Sequence, residues 1–277
     1  MKREFGIVEI SKFFLLAVVL SAGPIALVGA GYLPEWSIQL GALGPSVAAF
    51  VVVFSQGGFT NFKALGKDLF KWRAPIHVWL FALFVLAVPS LISVYLTGFI
   101  TGNAFAFDTL PPLTALIPMF VILTIFAGFG EEFGWRGYLL PNLLKRQNAI
   151  VASLIVGLAW GLWHIPLFFT PGAVQGEWAQ QAGLFSAIAG YTIFCIAWSV
   201  QYTWIHLRSN GSVLLAAVYH GTGNAWIGGY IDVYRGDVTG VFVFTGVMIV
   251  FSFLLYIAFG KELRPVGQPA PIAPPHP

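Results

Sequence analysis

Read along the chain, apolar residues run in long unbroken stretches and polar residues gather between them. A helix that crosses a bilayer needs about 20 mostly apolar residues. Eight runs come close to that length: Phe13–Leu33, Ile38–Phe54, Ile76–Ile100, Leu113–Leu140, Ala149–Phe169, Gly183–His206, Ser212–Tyr230 and Val241–Phe259. The second is short and holds Gly41, Gly44 and Pro45, which blur its limits; the fourth is long and carries two glutamates. The pattern predicts an all-α polytopic membrane protein of about eight transmembrane helices. One helical domain is expected over 1–263. The 264–277 tail has six prolines and no apolar periodicity, which predicts a disordered cytoplasmic extension.

Composition agrees with the pattern. Hydrophobic residues make up 58% and charged residues 9%, where a soluble domain carries about 25% charged. So few charges could not solvate a globule, and so much apolar surface excludes a disordered chain. Cys195 is the only cysteine, which excludes a disulfide scaffold.

The net charge of +3 and pI near 9.0 would suit a nucleic-acid partner. The positions of the charges say otherwise. Thirteen of the fourteen Lys and Arg fall at the amino end, in the even-numbered loops, in the tail, or, for Arg136, just inside a helix end on that side. The odd-numbered loops hold Arg235 alone, with Glu35, Asp108, Glu177, Asp232 and Asp237. Basic residues concentrate in cytoplasmic loops, so both termini are expected in the cytoplasm and the protein in the plasma membrane, with the lipid bilayer as a partner and no nucleic acid. The first run is longer than a signal-peptide core and more spans follow it, so it reads as a retained helix.

Ionisable residues inside the spans are the informative ones, because insertion scales charge them roughly 2.5–3.5 kcal/mol at mid-bilayer. The stretch Phe129-Gly130-Glu131-Glu132-Phe133-Gly134-Trp135-Arg136-Gly137 sets two adjacent carboxylates in an apolar run. Helix neighbours point about 100° apart, so the two cannot share a task. Arg136 lies four residues after Glu132, on its face, which predicts an ion pair and leaves Glu131 without so close a counter-charge. A carboxylate in that position suits a general base near neutral pH. The plain alternative is a packing network between helices.

His164 follows in Trp160-Gly161-Leu162-Trp163-His164-Ile165-Pro166; alone, it reads more readily as an interhelical hydrogen-bonder. In Tyr219-His220-Gly221-Thr222-Gly223-Asn224, His220 and Asn224 share one helix face. Gly221 and Gly223 between them permit close approach of another helix. His77 and His206 read as interfacial anchors, and Cys195 as a small core residue. Phosphate loops, dinucleotide fingerprints and HExxH are missing.

The ordered set Glu131-Glu132-x-x-x-Arg136, Trp160-x-x-x-His164 and His220-x-x-x-Asn224 resembles the three motifs of the CPBP intramembrane proteases, the CAAX prenyl endopeptidases and bacteriocin-processing enzymes also called the Abi family. The resemblance covers about Phe126 to Gly228, and it places a catalytic core at about 113–230. One departure is Trp160, where the family usually has Phe; a packing role is expected to survive it. The resemblance implies an intramembrane endopeptidase acting on a peptide or protein that reaches the membrane, prenylated CAAX tails and bacteriocin-type peptides being family substrates. It implies water activation by Glu131 and His164, oxyanion stabilisation by His220 and Asn224, and support of the first helix by Glu132 and Arg136. Water is expected to enter from the cytoplasmic side.

The family is usually classed with the metalloproteases. Two histidines and a carboxylate are enough for a catalytic zinc with an open position, so His164, His220 and Glu131 form a provisional ligand set. A Glu–His pair without a protein-held metal gives the same motifs, and both stay open. The competing readings are a proton-coupled transporter using buried Glu and His, disfavoured by the lack of a repeat, and a non-catalytic membrane partner.

Overall fold

The computed structural model describes residues 6–67, 69–103, 105–231 and 237–260; the Pro-rich tail, Asp232 and Arg235 lie outside them. The described chain is helical, with no strand among the described residues. The protein is an all-α integral membrane protein.

Helix α1 spans Ile7–Gly29, and a 3₁₀ stretch Glu35–Leu43 leads into α2, Gly44–Gly66, with Pro45 in its first turn where no N–H is needed. The third apolar run divides into α3, Ile76–Phe84, and α4, Ala87–Thr101. Helix α5 runs over Leu113–Leu144, and α6 over Ala149–Trp163. A short helix α7, Val174–Ala182, precedes α8, Leu184–Arg208. Helix α9, Val213–Asn224, continues as a π-helical turn through Tyr230, and α10 spans Val238–Phe259. Polar residues set three of these starts: Asn148 accepts from the Val151 N–H, Ser212 from that of Leu215 and Asp237 from that of Thr239.

Among the described residues, seven stretches are long and apolar enough to cross a bilayer. The expected eighth, Ser212–Tyr230, is helical but fails on composition. It carries His220, Thr222, Asn224 and four glycines, and its polar groups are tolerated because neighbouring helices enclose it rather than lipid. His220 is 3% exposed. Large apolar side chains such as Leu15, Val19, Phe99, Ile249 and Phe253 point outward, as a lipid-facing surface requires. Helix α7 was not foreseen, since it is too polar for a span and too short to stand out as an amphipathic pattern.

Small residues bring the core helices together. Gly157 and Gly161 sit one turn apart on α6, and a methyl group on either would meet the α8 backbone, 2.5 Å from Ile196 Cα and 2.7 Å from Thr192 Cα respectively. This close spacing is the way helices pack where lipid supplies no hydrophobic drive. Gly128 of α5 abuts the Ala217 carbonyl of α9, and Gly221 of α9 abuts Thr124 of α5. The reciprocal contact seats the second half of α9 against the glutamate-bearing turn, the role expected of Gly221.

Candidate active site

The site is assembled from α5, the end of α6 and the end of α9. Helix α5 widens into π-helical turns at Thr124–Phe129 and Phe133–Leu139, on either side of Gly130–Glu132. Such turns are rare and cluster at functional positions. Between them, Glu131 and Glu132 diverge as the rotation of about 100° per helix residue requires.

Glu132 is fully enclosed. Arg136 Nη1 donates to both its carboxylate oxygens at 2.8 Å, and His220 Nδ1 lies 2.8 Å from Oε1. The expected intrahelical pair is therefore present, and it has a third member from α9. Arg136 is itself 0% exposed. Its guanidinium carbon stands 3.7 Å from the Tyr202 ring centre and 4.5 Å from that of Trp160, and Nη2 reaches Ser199 Oγ at 3.4 Å. Two aromatic faces and a carboxylate replace the water a buried cation has lost.

Glu131 turns the other way, into a cavity of about 630 Å³ that His164, His220 and Asn224 also line. Trp160 Nε1 donates to Glu131 Oε2 at 2.7 Å. Glu131 Oε1 lies 3.9 Å from His220 Nε2. That is beyond direct hydrogen-bonding distance and within the span one water bridges.

His164 ends α6. The helix tightens there, the backbone N–H of His164 turns to the Gly161 carbonyl at 3.2 Å, and the ring Nδ1 lies 2.8 Å from the Trp160 carbonyl. A carbonyl only accepts, so Nδ1 carries the proton and donates, and Nε2 is left as the ring's other polar atom. Trp160 thus reaches Glu131 and both histidines: its ring centre is 5.9 Å from that of His164 and 5.6 Å from that of His220. The expected packing role is present, together with an N–H donor that Phe would lack.

The six site residues named from sequence fall into two groups. Glu131, His164, His220 and Asn224 meet in one cavity; Glu132 and Arg136 are packed behind it. The sequence reading missed Ser199 and Tyr202 of α8, which complete the Arg136 pocket. Polar residues inside an apolar span were the available signal: Ser199 and Tyr202 are spaced i, i+3 on one face of α8, a pattern the sequence reading did not single out. The cavity reaches exposed residues at one end of the bundle, where it is lined by Glu35, Gly172 and Gln175, opposite the Lys71, Lys145 and Arg208 loops.

Among the described residues no three His, Cys, Asp or Glu side chains form a group that could hold a metal ion. The Nδ1 atoms of His164 and His220 are engaged with Trp160 and Glu132.

Comparison with known proteins bears on the same stretch. The chain is 32% identical over 107 residues to CAAX prenyl protease 2 of Methanococcus maripaludis, covering 39% of this chain and 38% of that protein. It is 26% identical over 125 residues to lysostaphin resistance protein A of Staphylococcus haemolyticus, covering 44% of this chain and 33% of that one. The matched stretch thus spans about a third of the length of these curated relatives. Residues 113–226, which carry all three motifs, match the family described as type II CAAX prenyl endopeptidase Rce1-like. Over that stretch the chain is similar to the type II CAAX prenyl endopeptidases, and its three motifs fall inside the match.

Proposed function

We propose that this protein is an intramembrane endopeptidase that hydrolyses a peptide bond of a segment held at the membrane. The observation that carries the proposal is the convergence of Glu131, His164, His220 and Asn224, from three separated segments, on one cavity. Amide hydrolysis needs a base for water, donors for the oxyanion and an acid for the leaving amine.

Glu131 takes a proton from a water that His164 Nε2 helps to orient. The resulting hydroxide attacks the scissile carbonyl carbon, and the carbonyl π pair moves to oxygen. The Asn224 amide donates to that oxyanion, as does His220 Nε2–H when both ring nitrogens are protonated. The tetrahedral intermediate then collapses, the C–N bond breaks, and Glu131 returns its proton to the leaving amine. Glu132 and Arg136 touch no substrate. Glu132, fixed in turn by Arg136, holds His220 by Nδ1, which aims Nε2 at the cavity.

The test is a panel of internally quenched peptides offered to the purified protein in liposomes. The native chain is expected to cleave members of the panel, and Glu131→Gln none, with thermal unfolding unchanged. Full activity in Glu131→Gln, or no cleavage by the native chain across the panel, overturns the proposal.

A further inference from the structure

The cavity is one-sided. Its walls come from the end of α1, the 35–43 turn, the first part of α5, the end of α6 with the loop after it, the first half of α8 and the end of α9. In an antiparallel bundle these are the halves that share one end. Contacts between loops establish the two ends directly. At one, Lys71 donates to the Asn210 carbonyl at 2.9 Å and Ser212 donates to the Lys71 carbonyl. At the other, the Val238 N–H donates to Gln181 at 2.9 Å, and Gly172 packs beside Glu35.

The two ends differ in charge. Among the described residues, the first end carries Lys63, Lys67, Lys71, Arg73, Lys145, Arg146 and Arg208 in its loops and helix ends; the second carries Glu35, Asp108, Glu177 and Asp237 and no Lys or Arg. Arg235 is the one basic residue the sequence assigns to the second end. The Lys and Arg bias of short loops sets orientation in the membrane.

Access from the basic end is closed. Behind Glu131 in that direction lie Glu132, Arg136 and Tyr202, each 0% exposed, packed with Trp160 at 1%.

We infer that the site opens on the non-cytoplasmic face, and that its substrate is a peptide segment presented from that side, from an exported or translocated chain. A cytoplasmic carboxy-terminal tail would have to cross the bilayer to reach Glu131. The substrate half of this inference rests on the endopeptidase reading; the direction of opening does not.

Single-cysteine labelling decides the direction. Cys195 is buried, so the native chain serves as the unlabelled background. Glu177 and Gln147 are exposed at opposite ends. In intact spheroplasts, a membrane-impermeant maleimide is expected to label Glu177→Cys as fully as after permeabilisation. Labelling of Gln147→Cys is expected to be lost until the membrane is opened. The reverse pattern, or equal labelling of both in intact spheroplasts, overturns the inference.

A soluble quenched peptide then tests the substrate side. Cleavage is expected with right-side-out vesicles and loss of it with sealed inside-out vesicles, whose lumen holds the cavity entrance. Cleavage confined to inside-out vesicles overturns the inference. Failure in both orientations overturns the endopeptidase reading, and the labelling result stands by itself.

Discussion

Glu131 and Glu132 stand on one turn of one helix, yet one lines an open cavity with His164 and Asn224 while the other is enclosed with Arg136, beneath two aromatic rings. Chain position does not separate them. What separates them is the 100° between successive side chains, which sends one carboxylate to a cation and the other to a space a substrate can enter. The first region is kept by its geometry toward a reacting group. The second is kept by mutual neutralisation, and half of it is worse than none, because a single buried charge left behind has no solvent. His220 belongs to both, bonded to Glu132 at 2.8 Å by one nitrogen and facing Glu131 at 3.9 Å with the other.

The contrast can be broken most severely at its reactive half. Glu131→Gln keeps shape and the Trp160 contact but removes the base; kcat is expected to fall by about 10²–10⁴-fold, with the unfolding temperature in detergent held. If stability falls and the residual protein still cleaves, the assignment of the two glutamates is reversed. Next is the structural half. Arg136→Met strands Glu132 and is expected to lose about 3–5 kcal/mol of stability, read as a large drop in unfolding temperature and in folded yield. Removing both charges, as Glu132→Gln with Arg136→Met, should recover most of that stability while activity stays low, because His220 loses its anchor. A double variant no more stable than Arg136→Met alone would remove the ion-pair explanation.

Asn224→Ala takes away one oxyanion donor and is expected to lower kcat by about 10²–10³-fold with little change in KM or stability. A change confined to KM would make Asn224 a binding residue instead. The smallest expected effect is at the residue between the regions. Trp160→Phe retains the ring under Arg136 but loses the N–H to Glu131, a bond to a charged group worth about 1.5–3 kcal/mol. Its expected signature is a tenfold or greater fall in kcat without loss of folding, since the interaction orients Glu131. An unchanged kcat would return Trp160 to packing alone.

Much of this was legible in sequence for a simple reason. Bilayer insertion tolerates so few polar residues that Glu131, Arg136, His164 and His220 stand out against an apolar background. The i, i+4 spacing of Glu132 and Arg136 is a local relation, and it appears as one guanidinium nitrogen donating to both carboxylate oxygens. Relations between helices were not legible. Ser199 and Tyr202 sit on a span with no motif, and their part depends on Gly157 and Gly161 letting α6 and α8 close together. The attachment of His220 to Glu132 joins residues 88 apart. The provisional ligand set of His164, His220 and Glu131 rested on donor type alone; which nitrogen of each ring is bonded, Nδ1 to the Trp160 carbonyl or to Glu132, was decided by the fold.

Taken by itself, the sequence determined the class of protein: helices long and apolar enough to span, a charge bias between loops, and three polar motifs in the order of one protease family. These follow from hydropathy and spacing, which a linear chain carries without folding. Only the tertiary structure decided which carboxylate faces the cavity, what holds His220, and at which end the cavity opens. Those are contacts between segments distant in the chain, made where glycines let backbones meet. In a medium that offers no water to a stray polar group, each such contact settles where the chemistry can stand.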